Sequence, residues 1–318
     1  MSRFLLIPAV CLLVGSFPQV APAEVEIRKG CIAHFTRAAE GTSVLGQKDD
    51  FIQRLSPFDR AARMKTDQPV PEDKFLSFVR SNVTTWTPVE QSKVEDAIRD
   101  LRPALEKFTV PFPSSVLFVV TTGAEEGGAF YTRGNAIIMP QKKIQEANPE
   151  LLRKTIAHEL FHVLSRSNPK IRAQLYRAIG FAHCGEVELP VEIQSRKITN
   201  PDAPLNDHAI RVRLNGREMS AVPVLFSKSE KYDPARGGEF FNYLQMQLLI
   251  AETFPAAKPD LVDLTAVSGF FEQIGRNTDY IIHPEEILAE NFALLVTGAT
   301  KLPSPEITDK LRRVLEQK

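Results

Sequence analysis

The sequence predicts an α+β fold, and three observations carry that expectation. Residues 116–121 form a β-branched and aromatic run with strand character, followed by a second such run at 129–139. Residues 149–165 then read as one long helix with an apolar body. Farther along, residues 210–214 and 217–226 flank Asn215-Gly216, a pair suited to a two-residue hairpin turn.

The elements follow in order. Residues 24–88 read as irregular and partly helical, punctuated by Pro57, Pro69, Pro71 and Pro88, with one short helix at 72–78. Thr87 is a helix N-cap, Pro88 suits the first turn, and Glu90 stands where a capping box needs an acid. Val94, Ile98 and Leu101 give that helix an apolar stripe, which Leu105 and Phe108 extend across Pro103. The 129–139 run should break at Gly134-Asn135. After the long helix, 171–180 reads as another helix, and beyond Cys184 the chain turns strand-rich. Residues 239–252 fit helix or strand equally, and 267–274 read as a helix that stops at Gly275. Asn200-Pro201-Asp202-Ala203-Pro204 has the composition of a shaped loop, with no chemistry attached to it.

Residues 1–23 have the form of a secretory signal peptide: Arg3, an apolar run, then Ala21-Pro22-Ala23 as a cleavage site. The expected mature chain, 24–318, is exported, periplasmic or secreted, with no transmembrane segment. Lys plus Arg and Asp plus Glu number 39 each, which excludes a nucleic-acid groove or a polybasic membrane patch as the main feature. Cleavage would remove Cys11 and leave Cys31 and Cys184, an even pair that in an oxidising compartment suggests one disulfide. Two buried free thiols are the alternative.

The chemistry concentrates at residues 155–164. His158 and His162 are spaced to project from one helix face onto one metal ion, and Glu159 stands where a carboxylate can take a proton from metal-bound water. Ile156, Leu160, Phe161, Val163 and Leu164 surround them, and a charge kept among such neighbours needs a reason that a metal supplies. A catalytic zinc needs a third protein ligand. The segment beginning at His283 is the best source: Pro284 fits a first helical position, Gly298 fits the stop, and Glu286 and Glu290 share a face. Glu286 can bind the metal while Glu290 accepts a hydrogen bond from a ligand histidine. Glu186, Glu188 and Glu285 remain rivals for the third position.

This pattern resembles the gluzincin branch of the zincin metallopeptidases, with Glu290 in place of the usual aspartate. The metzincin extension is absent, since Ser165 and Asn168 occupy its Gly and His positions. The resemblance implies a single zincin-like catalytic domain over 24–318. Its N-terminal lobe, about 24–166, would hold a mixed sheet and the active-site helix, and a mixed C-terminal lobe, about 167–318, would supply the third ligand. Part of 131–139 would form the rim strand that pairs with an extended substrate. One Zn2+ per chain would be held by His158, His162 and Glu286, with Glu159 as general base and a peptide or protein as substrate. Gluzincins also carry a His or Tyr that donates to the developing oxyanion. His283 and Tyr232 are first candidates, with Tyr280, Tyr131 and His208 also eligible. A non-catalytic zincin-fold binding or chaperone-like protein, and a zinc hydrolase of non-peptide amides, are the competing readings.

Overall fold

The computed structural model describes residues 25–256 and 258–317, so the expected signal segment lies outside the described residues. The chain is mixed α+β. Strands β1 (Val25–Arg28), β2 (Cys31–Phe35), β3 (Ser115–Thr121), β4 (Tyr131–Arg133) and β5 (Ala136–Pro140) form one sheet in the order β1-β2-β3-β5-β4. The inner pairs β2–β3 and β3–β5 are parallel, and the outer pairs β1–β2 and β5–β4 are antiparallel. The 129–139 run is therefore a hairpin that breaks at Gly134-Asn135, where Gly134 adopts φ 62°. The order leaves β4 at the sheet edge.

β1 and β2 correct the expectation of an irregular start. Their alternate residues Val25, Ile27, Cys31 and Ala33 are buried, so a period of two was present but only four or five residues long. Helices α1 (Ala38–Leu45), α2 (Asp50–Arg54), α3 (Pro57–Arg63), α4 (Glu72–Ser81) and α5 (Pro88–Leu105) connect β2 to β3. The capping box of α5 forms as expected: the Thr87 hydroxyl accepts from the Glu90 amide at 3.3 Å, and the Glu90 carboxylate accepts from the Thr87 amide at 3.0 Å.

After β5 come α6 (Gln141–Glu146), α7 (Pro149–Ser167) and α8 (Pro169–Ala178). The Asn148 side chain caps α7 by accepting from the Leu151 amide at 2.8 Å, with Pro149 at the first position. Most of α7 is buried, because its apolar residues face several neighbours at once. The short α9 (Val191–Gln194) precedes a second sheet. Its strands are β6 (Phe181–His183), β7 (His208–Leu214), β8 (Arg217–Ser227), β9 (Leu244–Ala251), β10 (Asp260–Val262) and β11 (Val267–Ser268). They run β10-β9-β8-β7-β11, with β6 also on β7, and every pairing is antiparallel.

Asn215 and Gly216 turn the β7–β8 hairpin at φ 50° and 80°, as that dipeptide requires. The ambiguous 239–252 resolves as strand β9 after a 3-10 turn, because both its edges are paired. The helix expected at 267–274 is corrected. Val267 and Ser268 pair with β7, Gly269 at φ 88° interrupts, and only α10 (Phe271–Ile274) is helical. Then follow α11 (Pro284–Val296) and α12 (Pro305–Leu315). One apolar core includes Leu101 of α5, Phe118 of β3, Ile137 of β5, Phe161 of α7 and Phe292 of α11. The Phe161 and Phe292 rings lie 5.5 Å apart and seat α11 on α7.

The expected Cys31–Cys184 disulfide does not form: both are free thiols. Cys31 faces the core from β2 of the first sheet, while Cys184 follows β6 of the second and donates to the Gly185 carbonyl at 3.3 Å. Burial pushes the Cys31 thiol up to about 12 and the Cys184 thiol up to about 11, which favours the protonated form of both.

Candidate metal centre

Seating α11 on α7 brings the two sequence motifs face to face. His158 Nε2 lies 3.0 Å from Glu286 Oε2, and His162 Nε2 lies 3.7 Å from the same oxygen. These three groups offer ligand atoms within 4.8 Å of one another. The expected ligands therefore converge, although 124 residues separate His162 from Glu286. The rival ligands do not: Glu186 is paired with Arg54 at 2.8 and 2.9 Å, Glu188 is exposed, and Glu285 faces the other side of His162.

Each histidine is fixed from behind. His158 Nδ1 donates to Glu290 Oε1 at 3.1 Å, the role expected of Glu290, and Lys154 holds the other Glu290 oxygen at 2.9 Å. His162 Nδ1 donates to Glu285 Oε1 at 3.2 Å. The other Glu285 oxygen accepts from Ser165 at 2.9 Å and from Tyr176 at 2.6 Å. Sequence reasoning had cast Glu285 only as a rival ligand. Its place beside Glu286 on α11, turned toward α8 and the later half of α7, makes it the partner that orients His162.

The charges are arranged for a cation. Burial alone would raise the Glu286 carboxyl, yet His162, His158 and a 2.6 Å donation from Asn200 Nδ2 hold it at about 2. Glu290 is likewise held at about 2 against its burial, by His158 and Lys154. His158 is partly buried but flanked on both nitrogens by carboxylates, which raises its imidazole well above the usual value. His162 Nε2 is the informative atom. It is fully buried and has no hydrogen-bond partner among the described residues, while Nδ1 of the same ring is fixed. A buried ring nitrogen left bare and aimed at Glu286 fits a metal donor.

Glu159 lies beside this cluster at the sheet edge. Its Oε2 accepts from Thr132 Oγ1 of β4 at 2.7 Å. Burial and the nearby Asp202 push Glu159 up to about 7, against the pull of His162 and His158. A base titrating there is matched to neutral pH.

The chain matches no known protein family, no curated protein and no solved structure.

The remaining candidates separate by geometry. His283 caps α11, accepting from the Glu285 amide at 3.1 Å through Nδ1 and donating to the Leu205 carbonyl at 3.2 Å through Nε2. Burial pushes it down to about 4, so it stays neutral with both nitrogens engaged. Tyr232 is buried with Phe58 and Tyr243 and donates to the Gly238 carbonyl at 2.9 Å. Tyr131 turns its hydroxyl to Glu125, and His208 Nδ1 engages Asp207. Tyr280 lies beside the metal cluster: its ring centre is 6.3 Å from that of His158 and the residue is 43 % exposed.

The 200–204 loop, to which the sequence attached no chemistry, also reaches the cluster. Asn200 binds Glu286, and Asp202 Oδ1 lies 4.0 Å from His162 Nε2. Its only sequence signal was the paired prolines of a rigid turn, since what it touches is remote along the chain.

Proposed function

We propose that this chain is a zinc-dependent metallopeptidase of the gluzincin type, with a zincin-like catalytic fold. The observation that carries the reading is the bare, buried His162 Nε2, aimed with His158 and Glu286 at one point beside Glu159. His158, His162 and Glu286 would hold the ion, leaving one position for water. Zinc bound there would polarise that water and a substrate carbonyl.

The chain's own residues supply the rest. Glu159 takes a proton from the attacking water and returns it to the leaving amine, with Thr132 Oγ1 holding the carboxylate in place. Glu290 and Glu285 keep the two imidazoles in the tautomers that present Nε2. Tyr280, whose ring centre lies 6.3 Å from that of His158, is assigned here in place of His283 or Tyr232 as the phenol that would donate to the carbonyl oxygen as charge develops there. β4, as an edge strand, is the strand an extended peptide would pair with.

Glu159 argues against a purely binding role, because a structural metal site has no use for a carboxylate held beside the ligands. The exported location belongs to the same proposal. Among the described residues no helix is long and apolar enough to cross a membrane.

Metal content and peptide-library cleavage of wild type, Glu159→Gln and Glu286→Ala test the reading. Glu159→Gln should keep one zinc and lose about 10²–10⁴ in turnover, the usual scale of general-base catalysis. Glu286→Ala should lose stoichiometric zinc. Full turnover by zinc-loaded Glu159→Gln would refute the proposal.

A further inference from the structure

Two cavities share the 200–204 segment, which itself reaches the metal cluster through Asn200 and Glu286. One, of about 350 Å³, carries charged side chains that include Arg133, Arg166, Arg172 and Asp207. The other, of about 300 Å³, is mainly apolar and includes Phe130, Tyr131, Phe240 and Tyr280. Pro201 and Asp202 line both. Arg133 of β4 lines the first and Tyr131 of β4 the second, so the segment divides a groove that follows the edge of β4.

The Asp202 carboxylate takes two places at once. Its Oδ1 accepts from the Thr132 amide of β4 at 2.6 Å, the outward edge donor that an extended peptide would use. The same oxygen lies 4.0 Å from the bare His162 Nε2. Asp202, His162 and Glu159 form a second set of ligand atoms within 4.8 Å of one another. Ligands about 2.1 Å from a tetrahedral zinc stand about 3.4 Å apart. The His162–Glu286 separation of 3.7 Å and the His162–Asp202 separation of 4.0 Å are each near that value, and His162 is the residue the two sets share.

The segment is held firmly. Asn200 Nδ2 donates to Glu286 Oε1 at 2.6 Å, and the Asp202 amide donates to Asn200 Oδ1 at 3.0 Å. Arg166 donates to the Asp202 carbonyl at 3.0 Å. Just upstream, Thr199 is clamped by α3: its amide donates to Asp59 at 2.9 Å and its carbonyl accepts from Arg63 at 3.0 Å. Arg63 is itself fully buried and bound by Asp59 and by Glu126.

Building on the zinc reading above, we infer that Asp202 is a displaceable fourth zinc ligand, which closes the open coordination position and blocks the substrate strand in the resting protein. Glu159 Oε2 is engaged by Thr132 Oγ1 at 2.7 Å. The chain is then latent, and it becomes active when the 200–204 segment leaves the groove. Pro201 and Pro204 make that departure a rigid swing of a short segment rather than a gradual loosening.

The test uses zinc-loaded full-length wild type, Asp202→Asn and Asp202→Ala, with acetohydroxamate as a small zinc-binding probe. A probe that must displace a resident ligand binds in proportion to the open fraction. Both variants should keep one zinc, bind acetohydroxamate about tenfold more tightly or better than wild type, and cleave peptides faster by a similar factor. Cobalt-substituted wild type and Asp202→Asn should differ in their visible absorption. Asp202→Asn retains an acceptor for the Thr132 amide, so it serves if the alanine variant fails to fold. Equal probe affinity and identical cobalt spectra in zinc-binding wild type and Asp202→Asn would overturn the inference and leave the zinc reading standing. Absence of zinc from all three proteins would overturn both.

Discussion

Replacing Glu285 by Gln should loosen the metal without touching a ligand. The Glu285 carboxylate accepts three hydrogen bonds, from His162 Nδ1 at 3.2 Å, Ser165 at 2.9 Å and Tyr176 at 2.6 Å. Those donors hold it well into the ionised form despite its burial. A charged acceptor contributes about 1.5–3 kcal/mol per bond and a neutral one about 0.5–1.5 kcal/mol. Glutamine can still accept from His162, while its NH2 must face two hydroxyls that have to turn and accept. The loss is about 1 kcal/mol per bond, or about 3 kcal/mol of metal-free stability. The share at His162 lowers ligand basicity and frees the ring, and such changes usually weaken zinc by about 10- to 100-fold. Competition with a chromophoric chelator at pH 7 reads the affinity, and a urea melt of the metal-free protein reads the stability. A zinc affinity within about twofold of wild type, alongside the expected loss of stability, would show that Glu285 only packs α11 against α8 and that the reasoning fails.

Thr132→Val removes the hydroxyl that stabilises ionised Glu159. Its loss raises the base's pKa, so the acidic limb of kcat/KM should move up by about one unit, since one unit is 1.36 kcal/mol. A pH–rate profile checks this, and an unmoved limb would separate Thr132 from the base. Tyr280→Phe should lower kcat by about 10²- to 10³-fold with zinc content intact, the scale of one lost oxyanion donor. Steady-state kinetics on the zinc-loaded protein decide whether that phenol donates. Glu125, in the turn after β3, is pushed up to about 7 by burial, and its Oε2 has no partner among the described residues. A raised folded-state pKa favours folding below the unfolded value, and that stability is lost as pH rises from about 4.5 through 7. Glu125→Gln should therefore abolish a loss of about 3 kcal/mol over that range, read by urea melts at pH 5 and 8.

What was legible in the sequence was what is local. The spacing of His158, Glu159 and His162, the Thr87 capping box, the Asn215-Gly216 turn and the proline-started α11 each depend on residues within a turn or two of one another. Glu286 could be found because it lies on the same kind of apolar helix, with Glu290 four positions on. The two short strands β1 and β2 were hidden by the proline-rich region after them: they pair with each other, and β2 joins the sheet only through β3, far along the chain. His283 invited a catalytic role by its position but is used as a helix cap. Glu285 and Asp202 were beyond reach for one reason. Their partners, Tyr176 and Thr132, are 109 and 70 residues away and meet them only in the folded chain. The disulfide failed because an even count says nothing about which sheet each cysteine occupies.

An anomalous difference map at the zinc edge, from crystals of the zinc-loaded protein, tests the central claim most directly. The account predicts one peak about 2.0–2.2 Å from His158 Nε2, His162 Nε2 and a Glu286 carboxylate oxygen. A peak elsewhere, or none at that point in a zinc-containing crystal, would contradict it.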